Sequence, residues 1–351
     1  MRRWSGWAWG RAAGIAAAAV LVLGATPAAK AAEESAEVTA SAEPEASESL
    51  RWWKGSSISY RNEVSARTFD KSAEPFYNPY YNMVWSFSPR FSVHEKLWFA
   101  SSVSVSRELT EADSTTFDNE ALLSDVAITM GSSVRIPVAE IGVSGSFGAT
   151  VPTSKVSQAR TLLTSLSASL GLSRSFPVLG GLSLSYRIRG ARNLHRFTTS
   201  ETETPRIGAC DVASGECDAF LNTGVRNAQW RMSNSGTIGL KFVDWLSMSV
   251  TAGIGHSWLY PSGVDQSQVS FEIEDPRELR YGMFQVVELQ SQPMPSMGIA
   301  LGMSTASAHR GPDQKTRTPF YNRDTTFYLN LTLDIDGLVV QLSPSSEEES
   351  P

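Results

Sequence analysis

The feature that most constrains this chain of 351 residues is a strict alternation of apolar and small polar residues in many short stretches. Residues 163–173 read LTSLSASLGLS, with leucine or alanine at every second position from Leu166 to Leu172. Successive side chains of a β-strand point to opposite faces, so this pattern predicts a strand with one apolar and one small polar face. The alternation alone does not decide which face points inward.

Similar stretches recur along the whole body of the chain, each about ten residues long, which is the length of a membrane-spanning strand. The twelve predicted strands are residues 56–67, 80–90, 97–107, 122–136, 141–151, 162–176, 182–196, 229–242, 246–258, 281–292, 296–306 and 326–336. The stretch at 281–292 alternates least clearly. Counts of ten or fourteen strands therefore remain open.

The connections between the predicted strands alternate in length. Short turns such as 137–140 and 177–181 alternate with longer polar segments such as 108–121 and 197–228. Outer-membrane-type barrels combine short periplasmic turns with longer outer loops. The sequence therefore predicts an all-β protein, an antiparallel transmembrane β-barrel of about 12 strands.

A secreted β-sandwich is the alternative, because it too would alternate apolar and polar residues. A dry core needs bulky side chains at close packing, whereas the small faces here hold mostly serine, threonine and glycine. Aromatic residues near the predicted strand ends match the aromatic girdles of membrane barrels. These residues are Trp52, Trp53, Trp85, Trp98, Trp230, Trp245, Trp258, Tyr260 and Tyr281. We therefore expect the leucine faces against lipid and the serine faces against a wet lumen.

The beginning of the sequence predicts export. Residues 1–31 contain an early pair of arginines, an apolar run at 12–25 and a small-x-small site at the end. This is the layout of a secretory signal peptide, with an uncleaved anchor as the alternative. The apolar run is shorter than the roughly 20 residues that a transmembrane helix needs.

Two acidic segments flank the predicted barrel, which spans 52–342. Residues 32–51 and 343–351 are rich in glutamate and serine, and we expect a disordered periplasmic linker and a disordered tail. The formal net charge of −6 is concentrated in these segments. A body without a strong positive charge argues against a nucleic-acid partner.

In its alternating strands and alternating connections, the body resembles the general class of Gram-negative outer-membrane β-barrels, the porin-like and transporter-like proteins. No residue motif narrows the resemblance to one family. The resemblance implies a passive or solute-selective channel in the cell outer membrane, without enzyme activity, cofactor or metal. It also implies contacts with outer-membrane lipid, lipopolysaccharide, the barrel-assembly machinery and small solutes, anionic ones among them. Such barrels usually end on an aromatic residue, whereas this chain continues beyond its last predicted strand.

Charged residues on the predicted lumen face form the candidate site. Near mid-height the register places Arg61, Glu63, Arg187, Arg189 and Glu288. A cationic cluster among small residues would favour anionic solutes, and Arg187 and Arg189 are the candidates for selectivity. The alternative is a structural network of ion pairs that fills the lumen.

Two other functions remain open. A non-conducting barrel could serve adhesion or envelope structure through its outer loops. A lipid hydrolase would need a serine next to a histidine, and the His-x-Ser spacing of barrel hydrolases does not occur. His256 and Ser257 point to opposite faces of one strand, so we expect His256 at the membrane interface near Trp258.

The two cysteines, Cys210 and Cys217, both lie in the long connection at 197–228. In an exported protein this close pair predicts a disulfide, with two free thiols as the alternative. The connection itself is expected to be a stapled protective loop, a lid or a receptor patch.

Overall fold

A computed structural model describes residues 52–69, 79–94, 96–110, 119–137, 140–203, 220–261, 279–309, 316–322 and 324–342. The predicted signal peptide, acidic linker, acidic tail and Cys210–Cys217 disulfide lie outside these residues. Within the described ranges, no helix is long enough and apolar enough to cross a membrane.

Strands dominate the described chain, and each predicted strand is present. Strands β1 to β16 are, in chain order, Ser57–Ser65, Tyr81–Ser88, Arg90–His94, Leu97–Glu108, Ala121–Leu123, Val126–Ile136, Ile141–Val151, Leu162–Phe176, Leu182–His195, Thr199–Glu203, Phe220–Arg226, Ala228–Val243, Leu246–Leu259, Leu279–Met294, Met297–Ala308 and Thr325–Asp334. The helices are a 3-10 helix at Ala66–Thr68, α1 at Lys155–Ala159 and α2 at Ile335–Leu342.

The main sheet closes on itself. β1 pairs with β16 on one side and with β2 on the other, β2 pairs with β4, and β4 pairs with β6. From β6 onward each barrel strand pairs with the next one along the chain, except that β9 pairs with β12. Because β3 continues β2 and β5 continues β6, the result is a closed antiparallel barrel of 12 strands. The predicted fold class is confirmed.

Local chemistry explains the two interrupted strands. Pro89 separates β2 from β3, because proline has no N–H to donate to the neighbouring strand. Between β5 and β6, the Ser124 hydroxyl accepts the bond from the backbone N–H of Ser104 at 2.8 Å. The Ser124 side chain replaces a backbone acceptor at this point. The strand pairing can therefore shift in register while the N–H of Ser104 keeps a partner.

The two faces of the barrel wall differ as the alternation predicts. On β8 the side chains of Leu166, Leu170 and Leu172 are 38%, 55% and 44% exposed. On the opposite face, the hydroxyls of Ser146 and Ser169 lie 2.7 Å apart and hydrogen bond across β7 and β8. Exposed leucines belong on a surface that meets lipid, and closure pairs the backbone groups that lipid cannot solvate. The small face therefore lines the lumen.

Most of the aromatic residues at strand ends lie on the outer face, as a girdle requires. Trp230, Trp245 and Tyr281 are 49%, 56% and 53% exposed. Trp98 differs from this expectation, because it pairs with Gly131 on the lumen face. A Cβ atom on Gly131 would lie 2.3 Å from the Trp98 ring, so the glycine makes room for it.

Several short elements were not predicted from the sequence. Strands β10 and β11 form a separate two-stranded sheet inside the 197–228 connection. The last barrel strand ends at Asp334, two residues earlier than predicted, and α2 follows. The Asp334 carboxylate accepts from the N–H of Gly337 at 3.0 Å, which begins the helix where the strand was expected to continue.

A charge at Leu170 should be costly, whereas a charge next to it should be tolerated. Leu170→Arg is expected to lower the free energy of unfolding by about 2–4 kcal/mol, because its side chain faces lipid near the midplane. Ser169→Arg places the same charge in the wet lumen. Urea unfolding in lipid vesicles, followed by tryptophan fluorescence, compares the two. Equal effects of both variants would contradict the assigned faces.

Candidate functional site

The candidate site is the lumen wall, where the structure gives all five predicted charged residues inward positions on β1, β9 and β14. In either direction round the barrel, β9 is six strands from β1. The two strands therefore face each other across the lumen. Arg61 and Glu63 lie on one wall, and Arg187 and Arg189 lie on the other.

The pairing register shows that the two walls carry their charges at the same height. We follow the directly paired residues strand by strand from Arg61 across β16, β15, β14, β13 and β12. This path ends at Lys241, which lies beside the short-turn end of β9. In the other direction, the pairs through β2 and β4 lead to Leu122, beyond the outer end of β7. Strand tilt moves the two paths in opposite directions along the barrel axis. The middle of β9, with Arg187 and Arg189, is thus level with Arg61.

On the first wall, both carboxylate oxygens of Glu288 accept hydrogen bonds from neighbouring side chains. The Tyr328 hydroxyl donates to Glu288 Oε2 at 2.7 Å, and Gln290 Nε2 donates to Glu288 Oε1. The guanidinium carbon of Arg61 lies 4.5 Å from the centre of the Tyr328 ring, a cation–π contact. Glu288 and Arg61 are therefore joined through Tyr328, and all three side chains are at least nine-tenths buried.

Glu63 extends this wall toward the outer rim. Its Oε1 accepts from the Tyr80 hydroxyl and from Asn82 Nδ2, both at 2.9 Å. Both glutamates of the predicted site are thus held by neutral donors. A carboxylate fixed in this way keeps its position and its negative charge.

The opposite wall, around β9, is lined mainly by small residues. Arg187 lies directly between Gly171 and Ser235, and Ser144 pairs with Gly171 on the next strand. Arg189 Nη2 lies 3.3 Å from the Ser167 hydroxyl, to which it donates. Long guanidinium side chains among serine and glycine can extend into the lumen without filling it.

Glycines keep the large inward rings flat against the wall. A Cβ atom on Gly302 would lie 2.5 Å from the Tyr328 ring, and one on Gly253 would lie 2.3 Å from Phe284. Each ring thus occupies the space above a glycine of a neighbouring strand. The lumen stays wider than its aromatic content suggests.

Sequence reasoning found the charges of the site but missed its neutral members, Tyr328, Tyr80, Asn82 and Gln290. Tyr328 lies in the run Phe327-Tyr328-Leu329, where bulky residues hide the alternation. The available signal was its register partner Gly302, which leaves room for a ring on the lumen face.

His256 and His195 each have partners other than serine in the described structure. The His256 ring stacks 6.0 Å from Trp258 and meets the edge of Tyr281 at 5.1 Å. Its outward position near Trp258 agrees with the sequence expectation. His195 Nδ1 lies 2.7 Å from the carbonyl oxygen of Arg160. Neither ring is placed as a base beside a serine.

No protein-family model matches this chain, and no curated protein matches its sequence. An outer membrane channel from Pseudomonas putida F1 is similar over 82% of this chain and 99% of its own, with 9% identity and a TM-score of 0.49. The NanC porin is similar over 79% and 100%, with 10% identity and a TM-score of 0.43. The KdgM porin, solved with oligogalacturonate, is similar over 79% and 98%, with 9% identity and a TM-score of 0.42.

The assignment of the fold rests on the chain's own strand pairing. A closed antiparallel sheet with an exposed apolar exterior and a small polar interior is a transmembrane β-barrel of the outer-membrane type. Whether the lumen residues bind or select a solute stays a prediction.

Tyr328→Phe tests whether the hydrogen bond from Tyr328 to Glu288 stabilises the barrel. The variant keeps the ring over Gly302 but removes the donor to buried Glu288, so the free energy of unfolding should fall by about 1–3 kcal/mol. Urea unfolding in vesicles measures this loss. Tyr186→Phe is the matched control, because Tyr186 is 46% exposed on the outer face of β9. A loss no larger than that of the control would show that the Glu288 contact is not structural.

Proposed function

We propose that this protein is a passive channel of the bacterial outer membrane, with a lumen that favours small anionic solutes over cations. The observation that carries the proposal is the wall around Arg187 and Arg189, which is built from serine and glycine and faces Arg61 at the same height. Positive charge projecting into a wet, narrow passage raises the local concentration of anions.

The location is supported by the exterior and by the connections. Exposed leucines cover the outer face, and five short turns alternate with six longer connections, as in outer-membrane barrels. The predicted signal peptide would deliver the chain to the envelope. These features together favour the outer membrane over a soluble compartment.

The described interior supports passage of solute. Among the residues that the structure describes, the extensive contacts between elements join neighbouring strands or involve the three short helices. No described helix or strand packs across the lumen as a plug. The inward Arg231 is also exposed, which shows that water reaches it.

The balance of charge at mid-height supports a preference for anions. At this level three arginines, Arg61, Arg187 and Arg189, stand against two glutamates, Glu63 and Glu288. The net charge of this level is therefore positive. We expect the preference to be moderate, because the two carboxylates still oppose the arginines across the lumen.

Conductance in planar bilayers tests the proposal. The wild type should give discrete conductance steps, and its reversal potential in a KCl gradient should indicate anion preference. Arg187→Ser/Arg189→Ser should keep the steps and shift the reversal potential toward cation preference. Arg174→Ser, an exposed arginine on the outer face of β8, should leave the reversal potential unchanged.

Two outcomes would contradict parts of the proposal. An unchanged reversal potential in the double variant would remove the selectivity role of Arg187 and Arg189. No conductance from protein that inserts in vesicles and shows heat-modifiable migration would remove the channel itself.

A further inference from the structure

Three polar side chains with less than 2% exposure, Gln285, Thr305 and Thr325, lie on the outer face of the barrel. Gln285 pairs with Thr305, and Thr305 pairs with Thr325, so they form a polar row across β14, β15 and β16. By strand alternation they share a face with Leu301 and Leu329, which are 61% and 41% exposed. Polar groups on this face would be costly to leave against lipid.

The polar row is covered by residues 316–322, here called the strap. The Phe320 carbonyl oxygen accepts from Gln285 Nε2 and from the Thr305 hydroxyl, the latter at 3.3 Å. The backbone N–H of Asn322 donates to the Thr325 hydroxyl at 2.9 Å. These bonds hold the strap against the outside of the wall.

The strap and its neighbours present aromatic rings at the outer end of the barrel wall. Phe320 and Tyr321 are 63% and 55% exposed, and Phe69 is 69% exposed. Phe327 lies between them, with its ring centre 6.5 Å from Phe69 and 6.5 Å from Tyr321. Exposed rings at this height of a membrane barrel sit at the level of the lipid headgroups.

Three charged residues that are close in sequence to Phe69 and Tyr321 form a group of ion pairs. Asp324 Oδ1 lies 2.6 Å from Arg67 Nη2, and Asp324 Oδ2 forms an ion pair with Arg317. Two guanidinium groups share one carboxylate, so the group carries one net positive charge. Guanidinium groups bind phosphate oxygens well, and the Arg67 and Arg317 side chains are 30% and 16% exposed.

We propose that the strap, Phe69 and the group Arg67–Asp324–Arg317 form a binding surface for an anionic, phosphate-bearing lipid of the outer leaflet. The headgroup phosphate contacts the guanidinium groups, and the acyl chains run along the outer wall past the exposed rings. The polar row fixes the strap in place for this contact. The proposal does not depend on conduction, because its test measures lipid binding alone.

Thermal unfolding with and without the lipid tests this surface. The midpoint is read from heat-modifiable gel migration of full-length protein in phosphatidylcholine bicelles, with or without added lipid A. Lipid A should raise the wild-type midpoint by several degrees, since a ligand that binds only the folded state stabilises it. Arg67→Gln/Arg317→Gln should lose that rise. Arg174→Gln, near the opposite end of the barrel, should keep it.

Asp324→Asn separates lipid binding from a merely structural ion pair. If the ion pairs were only structural, Asp324→Asn and Arg67→Gln/Arg317→Gln would both lower the unfolding midpoint measured without lipid. The rise that lipid A causes would then be the same as in the wild type. Under the proposal, Asp324→Asn gives a rise at least as large as the wild type, because both guanidinium groups remain and the opposing carboxylate charge is gone.

Two results would overturn the proposal. One is an equal lipid-induced rise in wild type and Arg67→Gln/Arg317→Gln. The other is the same rise produced by inorganic phosphate at matched phosphate concentration, which would mean that no lipid is needed. Should the arginine variant fail to fold, Phe320→Ser/Tyr321→Ser serves instead, with a reduced rise expected and an unreduced rise counting against the proposal.

Discussion

Closure of the main sheet through β1 is the constraint on which the rest of the structure depends. β1 bonds to both β16 and β2, so the first and last barrel strands leave no open edge. An open edge in lipid would leave a row of N–H and C=O groups without partners, each at a cost of several kcal/mol. With the backbone paired, the side chains are free to divide into a leucine exterior and a serine interior.

Among the described residues, the large inward rings Tyr328 and Phe284 lie flat against the lumen wall. Tyr328 and Phe284 lie over glycines of adjacent strands, and the carboxylates near them are bound by neutral donors. The opposite wall has small residues around Arg187 and Arg189. Under the proposed function, this difference between the two walls, more than the total charge, is the basis of the expected selectivity.

The sequence predicts the barrel strands well because alternation is a local property. The bounds of β7 and β8 match their predictions to the residue, 141–151 and 162–176. The features that the sequence did not predict either depend on contacts between distant residues or lie in polar segments without alternation. The strand β10 reads TSETE and has no apolar face to reveal it. Thr305 and Gln285 interrupt the apolar exterior only because the strap supplies their partners.

A scan of single labels along β8 tests most directly whether the small face lines a wet lumen. Cysteines placed one at a time from 165 to 173, with Cys210 and Cys217 changed to serine, would carry spin labels in vesicles. The account predicts period-two accessibility, with odd positions reached by a water-soluble nickel complex and even positions reached by oxygen in lipid. Uniform accessibility to either reagent, or the opposite phase, would contradict it.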